Sequence, residues 1–126
     1  MSFKISNISK LLKVFDNNHN NIAITDTIKN KKITYKEFLN QSINTIQYLK
    51  DRKKIKAGDK ILISLENSYE FLVLIFACLL GGFVAVPIDP NLPAERLINL
   101  KKMIKPKIKI NKINLNFSNK KIKKNK

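Results

Sequence analysis

The sequence predicts an α/β fold: a partial parallel sheet with flanking helices, preceded by a small hairpin. Three observations carry this. Residues 60–110 alternate short apolar runs with helix-period segments in the order β-α-β-α-β, the pattern of parallel strands joined by right-handed crossovers. The run Lys60-Ile61-Leu62-Ile63-Ser64-Leu65 is too rich in Ile and Leu for an edge facing water and reads as a central strand. Glycine and proline fall at the joints between these segments, at Gly58, Gly81, Gly82, Pro90, Pro93 and Pro106. With 126 residues, 44% hydrophobic and 27% charged, the chain has the composition of one globular core rather than of a disordered segment.

The elements follow in order. Met1 to Val14 mixes Lys, Ser and Asn with apolar residues and has neither the continuous apolar core nor the cleavage site of a secretory signal. Ile22 to Asp26 and Ile33-Thr34, separated by the polar turn Asn30-Lys31-Lys32, predict the hairpin. Thr34 and Glu37 have capping-box spacing, in which the hydroxyl covers a free amide and the carboxylate reaches back to the cap. From there Tyr35, Phe38, Leu39, Ile43, Ile46 and Leu49 form one apolar stripe, and the basic segment Lys50 to Lys54 suits the negative end of the helix dipole. Ala57-Gly58-Asp59 turns the chain into the central strand. Asn67 with Glu70 repeats the capping spacing ahead of a helix from Tyr69 to Leu80. Gly81-Gly82 turns into a strand from Val84 to Ile88, a helix runs from Pro93 to Met103 with proline at its first position, and Lys107 to Ile110 alternates as a last strand.

Phe71 to Ile88 is eighteen residues without a charge, which raises the alternative of a membrane span. The glycine pair that divides it and the proline that ends it favour a buried helix followed by a buried strand, so no membrane span is expected. From Asn111 to Lys126 only Lys, Asn, Ile, Leu, Phe and Ser occur, and this Lys/Asn/Ile tail is expected to be disordered, leaving 1–110 as the folded part.

The formal net charge is +16. Residues 101–126 hold 11 lysines and no acid, against 14 basic and 9 acidic residues in 1–100. Arginine is nearly absent, with Arg52 and Arg96 alone, and lysine, isoleucine and asparagine all have AT-rich codons. The excess therefore reads as compositional bias before it reads as a nucleic-acid surface, whose usual marks are arginine and interleaved aromatics. A single cysteine, Cys78, and a single histidine, His19, exclude a disulfide framework and a Cys/His zinc site, and fit a cytoplasmic location. Asp59, Glu66, Glu70 and Asp89 lie at element ends, where capping and loop duties explain them better than a metal cluster does. His19, among four asparagines, reads as a solvated loop residue, and Cys78, within an apolar helix, as inert packing.

Five segments in order resemble the start of the acyl-adenylate-forming (AMP-binding) enzymes, the superfamily of acyl-CoA synthetases, nonribosomal peptide synthetase adenylation domains and luciferases. Ile33-Thr34-Tyr35-Lys36-Glu37-Phe38 is similar to the first core motif, and Lys56 to Ile61 to the Gly-Asp turn into a strand. Leu65 to Phe71 is similar to the Asn-Ser-x-Glu helix start. Leu80 to Pro90 is similar to the second core motif, with Gly81-Gly82 where the family usually has Ala-Gly, and Leu92 to Leu97 continues in register. The resemblance implies the N-terminal piece of that fold. It also implies a family chemistry in which magnesium ATP activates a carboxylate as an acyl-adenylate, which is then passed to a thiol, the work of an AMP-forming acid–thiol ligase.

In that family the resembling segments are scaffold, and the resemblance implies the same role here. The family's phosphate loop, rich in Ser, Thr and Gly and ending in Pro-Lys-Gly, has no counterpart, and the three glycines Gly58, Gly81 and Gly82 form no phosphate cradle. No catalytic, cofactor-binding or metal-ligating residue is assigned, and neither ATP nor magnesium is expected to bind this fragment. The expectation is a truncated N-terminal fragment of a ligase, inactive alone, whose partner would be a separately encoded remainder if the enzyme is split. The alternative is a basic nucleic-acid- or lipid-binding module.

Overall fold

The computed structural model describes residues 5–112. Their order is α1 (Ile5–Asn17), β1 (Ile22–Asp26), β2 (Lys31–Thr34), α2 (Tyr35–Asp51), β3 (Lys60–Ile63), α3 (Tyr69–Gly81), β4 (Val84–Pro87), α4 (Ala94–Ile104) and β5 (Ile108–Ile110). The Lys/Asn/Ile tail from residue 113 onward lies outside the described residues.

β1 and β2 pair antiparallel with a bulge between Ile22 and Ile24, while β3, β4 and β5 form a parallel sheet in the order β4-β3-β5. The predicted central strand is thus central. Ile61, Leu62 and Ile63 are all fully buried, as a strand covered on both faces requires. Alternation sends Ile61 and Ile63 to the side of α3, where they pack with Leu49, Ile55, Leu74, Cys78 and Phe83. Leu62 points to the other face. The chain leaves β3 toward β4 and then crosses back to β5, so two right-handed crossovers place α3 and α4 on opposite faces. The half-buried residues of α4 are Leu97, Leu100 and Ile104, one stripe at helical spacing.

A second cluster joins α1, the hairpin, α2 and α3 around Phe15, Ile33, Phe38, Tyr69, Val73 and Phe76. Phe15 stacks on Phe76 at 5.1 Å between ring centroids and on Phe38 at 5.9 Å, and meets Tyr35 edge-on at 5.0 Å. Offset and edge-on rings of this kind add about 0.5–1.5 kcal/mol per pair beyond the area they bury. Helices α2 and α3 contribute to both clusters.

Several local expectations shift. α1 was not expected; its hold on the fold is Phe15. The buried face of α2 is Phe38, Ser42, Thr45 and Leu49, whereas Ile43 is 42% exposed. Ser42 and Thr45 face α3, and their hydroxyls return hydrogen bonds to the carbonyls of Phe38 (2.8 Å) and Gln41 (2.7 Å). Small side chains whose polar atoms are satisfied within their own helix let two helices approach closely without an orphaned donor. The uncharged run Phe71 to Ile88 is divided between the 13-residue α3 and the strand β4, with Gly82 left-handed at φ +78° between them. Among the described residues no helix is long and apolar enough to cross a membrane, so the spanning alternative falls. On α3 Leu72 is exposed and Phe71, Ile75, Leu79 and Leu80 are half-buried, and among the described residues the most exposed large apolar side chains are Ile28 and Met103.

Candidate functional site: a cleft at the carboxyl ends of the parallel strands

Parallel α/β sheets bind ligands beyond the carboxyl ends of their strands, because loops and helix N-termini converge there. In this chain that position holds a cleft of about 710 Å³. Ser64 to Ser68 line it after β3, Pro90 after β4, Asn111 and Lys112 after β5, and the hairpin turn closes it with Asp26, Ile28 and Lys29.

Three ionisable groups of the cleft, Asp26, Lys29 and Glu70, fasten these elements together. Asp26 ends β1 and its Oδ1 accepts from the backbone amides of Ile28 and Lys29, both at 3.1 Å, an Asx turn that shapes the hairpin loop. Its Oδ2 accepts from the amide of Tyr69 at 3.4 Å, one of the free donors in the first turn of α3. The Lys29 amide beside it, with the Tyr69 and Ile28 amides, holds the Asp26 carboxyl below its ordinary value of 3.8, against the opposing effect of burial. Lys29 forms an ion pair with Glu70, and the hydrogen bond its ammonium donates to that carboxylate raises its pKa above 10.5. The ammonium groups of Lys29 and Lys31 sit 5.4 and 5.0 Å from the Tyr69 ring centroid. The hairpin is thus strapped to the start of α3 by one carboxylate, one ion pair and two cation–ring contacts.

The resembling segments all resolve into joints. Thr34 caps α2 in a complete capping box: its Oγ1 accepts from the Glu37 amide at 3.1 Å and its amide donates to Glu37 Oε1 at 2.9 Å. The cap of α3 is Ser68, not Asn67; its Oγ accepts from the Phe71 amide at 3.2 Å, which frees Glu70 to reach Lys29. Pro93 caps α4 from outside rather than occupying its first turn. Asp59 Oδ2 accepts from the Lys56 amide at 2.7 Å, and the Gly58 amide donates to the Gly82 carbonyl at 2.8 Å. The two left-handed glycines therefore clip the entrances of β3 and β4 to each other. Asp89 accepts from the Asn91 amide at 2.9 Å, and exposed His19 contacts the Asp16 carbonyl at 3.0 Å.

No group of three or more His, Cys, Asp or Glu side chains placed to hold a metal occurs among the described residues. Cys78 is fully buried and its thiol is pushed up to about 12 by burial. The residue that sequence reasoning missed is Asp26. Its signal was present, since an Asp at a strand end two and three residues before the loop amides is the usual Asx-turn pattern. Its long-range bond to Tyr69 had none.

Comparison with known proteins now identifies the class. The family model described as AMP-binding enzyme matches residues 12–126, and the chain belongs to that family. It is 40% identical over 68 residues to bacitracin synthase 3 of Bacillus licheniformis, covering 54% of this chain and 1% of that protein. It is 29% identical over 87 residues to luciferin 4-monooxygenase of Photuris pensylvanica, covering 69% and 16%. A four-domain nonribosomal peptide synthetase solved bound to AMP and glycine superposes with a TM-score of 0.74 at 26% identity, covering 84% of this chain and 8% of that one. The N-terminal domain of FACL13 from Mycobacterium tuberculosis gives 0.75 at 23% identity, covering 80% and 26%, a likeness of fold. The chain thus spans a small part of the length of each relative, in the N-terminal region of the adenylate-forming fold.

Proposed function

We propose that this chain supplies the opening scaffold of an ATP-dependent carboxylate-activating ligase, and that these 126 residues form no acyl-adenylate without a further part of the domain. The observation that carries the reading is the fate of the family-like segments. Thr34 to Phe38, Gly58-Asp59, Asn67 to Glu70 and Gly81-Gly82 all contribute to caps, turns and straps that join the elements. Adenylyl transfer needs cations or backbone amides at the phosphates together with a metal ligand, and the Gly-rich loop that would provide them is not in the sequence. In the complete unit ATP and magnesium would be held by residues beyond this segment. Its own contribution is to fix the carboxyl ends of three parallel strands and the hairpin beside them.

A chimera tests this. Residues 22–110 replace the corresponding segment of the adenylation domain of bacitracin synthase 3, and substrate-dependent exchange of radiolabelled pyrophosphate into ATP is measured. The expected result is exchange in the chimera and none with the 126-residue chain alone. Exchange by the chain alone would contradict the assignment, and so would a well-folded chimera without exchange.

A further inference from the structure

In a parallel sheet the connecting helices run back along the strands, so α2, α3 and α4 end at the side opposite the cleft, where β3, β4 and β5 begin. Basic side chains collect at that end. The register that pairs Ile61 with Ile108 sets Lys60 beside Lys107, and the Lys107 amide donates to the Lys60 carbonyl at 2.7 Å. Lys60 Nζ donates to the Ile104 carbonyl at 3.2 Å, which places it at the end of α4 next to Lys105. Lys56 opens the turn into β3, its carbonyl accepting from the Asp59 amide at 2.9 Å, and Arg52 to Lys54 stand between that turn and the end of α2. All seven cations are exposed. Two carboxylates interrupt the row: exposed Asp51, and half-buried Asp59, whose Oδ2 accepts from the Lys56 amide. Among the described residues the ion pair present is Lys29–Glu70, at the other end of the sheet.

Neither helix dipoles nor compositional bias accounts for this row. Three helix ends supply about half a negative charge each, enough for one or two cations and not for seven. Lys54 and Lys105 are left-handed, at φ 58° and 55°, a conformation that glycine and asparagine adopt far more readily than lysine. Asparagine is abundant in this chain, holds the left-handed position 30, and has codons as AT-rich as those of lysine, so codon bias does not choose lysine at these two sites. Lys60 and Lys107 add the repulsion of like charges side by side on neighbouring strands.

We propose that this row, running from Arg52 through Lys56 and Lys60 to Lys107 and Lys105, is a docking surface for an acidic protein. Charge complementarity selects an anionic partner, and the pattern of charge selects a protein. A bilayer or a nucleic acid presents an unbroken run of negative charge, which Asp51 and Asp59 within the row oppose. A protein can set its carboxylates against the cations and leave those two positions clear, and like-charge juxtaposition of this kind fixes register. Sequence-tolerant nucleic-acid binding also relies on arginine forks and on rings that stack on bases. The row holds one arginine, Arg52, and the ring beside it, Tyr48, carries the Lys53 ammonium 5.9 Å from its centroid. The net charge of +16 opposes a second copy of the chain as the partner. Docking here leaves the cleft at the carboxyl ends of the strands open, so the surface is independent of the ligase reading.

The test is fluorescence anisotropy of a labelled peptide of alternating glutamate and serine, titrated with the full 126-residue chain. A single-stranded oligonucleotide and phosphatidylglycerol vesicles serve as competitors. The expected result is saturable binding of the peptide that weakens as salt is raised. Exposed charge pairs contribute about twofold each, so Lys56→Gln with Lys60→Gln, Lys105→Gln and Lys107→Gln weakens binding on the order of tenfold. Lys56→Gln with Lys107→Gln, which spares the bond from Lys60 to α4, weakens it about fourfold. The control removes the same charge from exposed lysines elsewhere, Lys10→Gln with Lys13→Gln, Lys32→Gln and Lys36→Gln, and changes binding less than about twofold. Far-UV circular dichroism checks that each variant keeps its fold. No binding of the peptide overturns the proposal, and so does an equal loss in the two fourfold variants, which makes net charge alone the cause. Displacement of the peptide by oligonucleotide or vesicles at lower charge concentration than by unlabelled peptide also overturns it, since that result assigns the row to a uniformly charged polyanion.

Discussion

The joint between α3 and β4 makes a quantitative prediction. An ideal Cβ on Gly81 would lie 2.7 Å from Cε2 and 2.9 Å from Cζ of Phe83, closer than carbon atoms approach. The ring cannot swing clear at little cost, because Phe83 is buried among Leu49, Ile55, Ile61, Ile63, Leu74 and Cys78. Gly81→Ala should gain about 1 kcal/mol from helix propensity and lose about 1–3 kcal/mol to overpacking, for a net loss of about 0–2 kcal/mol. Phe83→Ala alone should cost about 3–5 kcal/mol. In that background the clash is gone and Gly81→Ala should instead stabilise by about 1 kcal/mol, so the cycle yields a coupling of about 1–3 kcal/mol. Urea unfolding of the four proteins, followed by far-UV circular dichroism, measures it. An equal effect of Gly81→Ala in both backgrounds would refute the reasoning.

Three further outcomes follow from the joints. Thr34→Ala removes the capping box of α2 and should cost about 1 kcal/mol in the same urea assay, with Thr34→Ser close to wild type. Native Cys78 should resist alkylation at pH 8 and react on unfolding, because burial both shields the thiol and pushes its pKa up to about 12; mass spectrometry after iodoacetamide treatment reads this. Asp26 is held below its ordinary 3.8, so its contribution to stability is present above that pH and is lost as the pH falls through the lower folded value. Asp26→Asn should therefore flatten the acid limb of the stability profile below about pH 4, and an unchanged limb would show that Asp26 is not the group responsible.

How much of this was legible follows from how local each cause is. The capping box, the glycine turns and the central strand are set by residues within a few positions of one another, and the strand order follows from a parallel β-α-β-α-β chain with three apolar residues in its middle strand. The boundaries moved by a residue or two, as at Ser68, where either of two adjacent polar side chains could cap and tertiary demand on Glu70 decided between them. The face of α2 was misread because periodicity counts apolar residues, whereas the approach of α3 selected the small, internally bonded Ser42 and Thr45 and turned Ile43 outward. α1 was overlooked because its anchor, Phe15, gains its meaning from Tyr35, Phe38 and Phe76, which are distant in sequence. The strap from Asp26 to Tyr69 spans 43 positions and has no sequence signature at all.

The central claim is that these joints hold a frame and grip no nucleotide. Equilibrium dialysis of the purified 126-residue chain against radiolabelled ATP with magnesium tests it most directly. The label should distribute equally across the membrane at every protein concentration. Saturable retention on the protein side, abolished by excess unlabelled ATP, would contradict it.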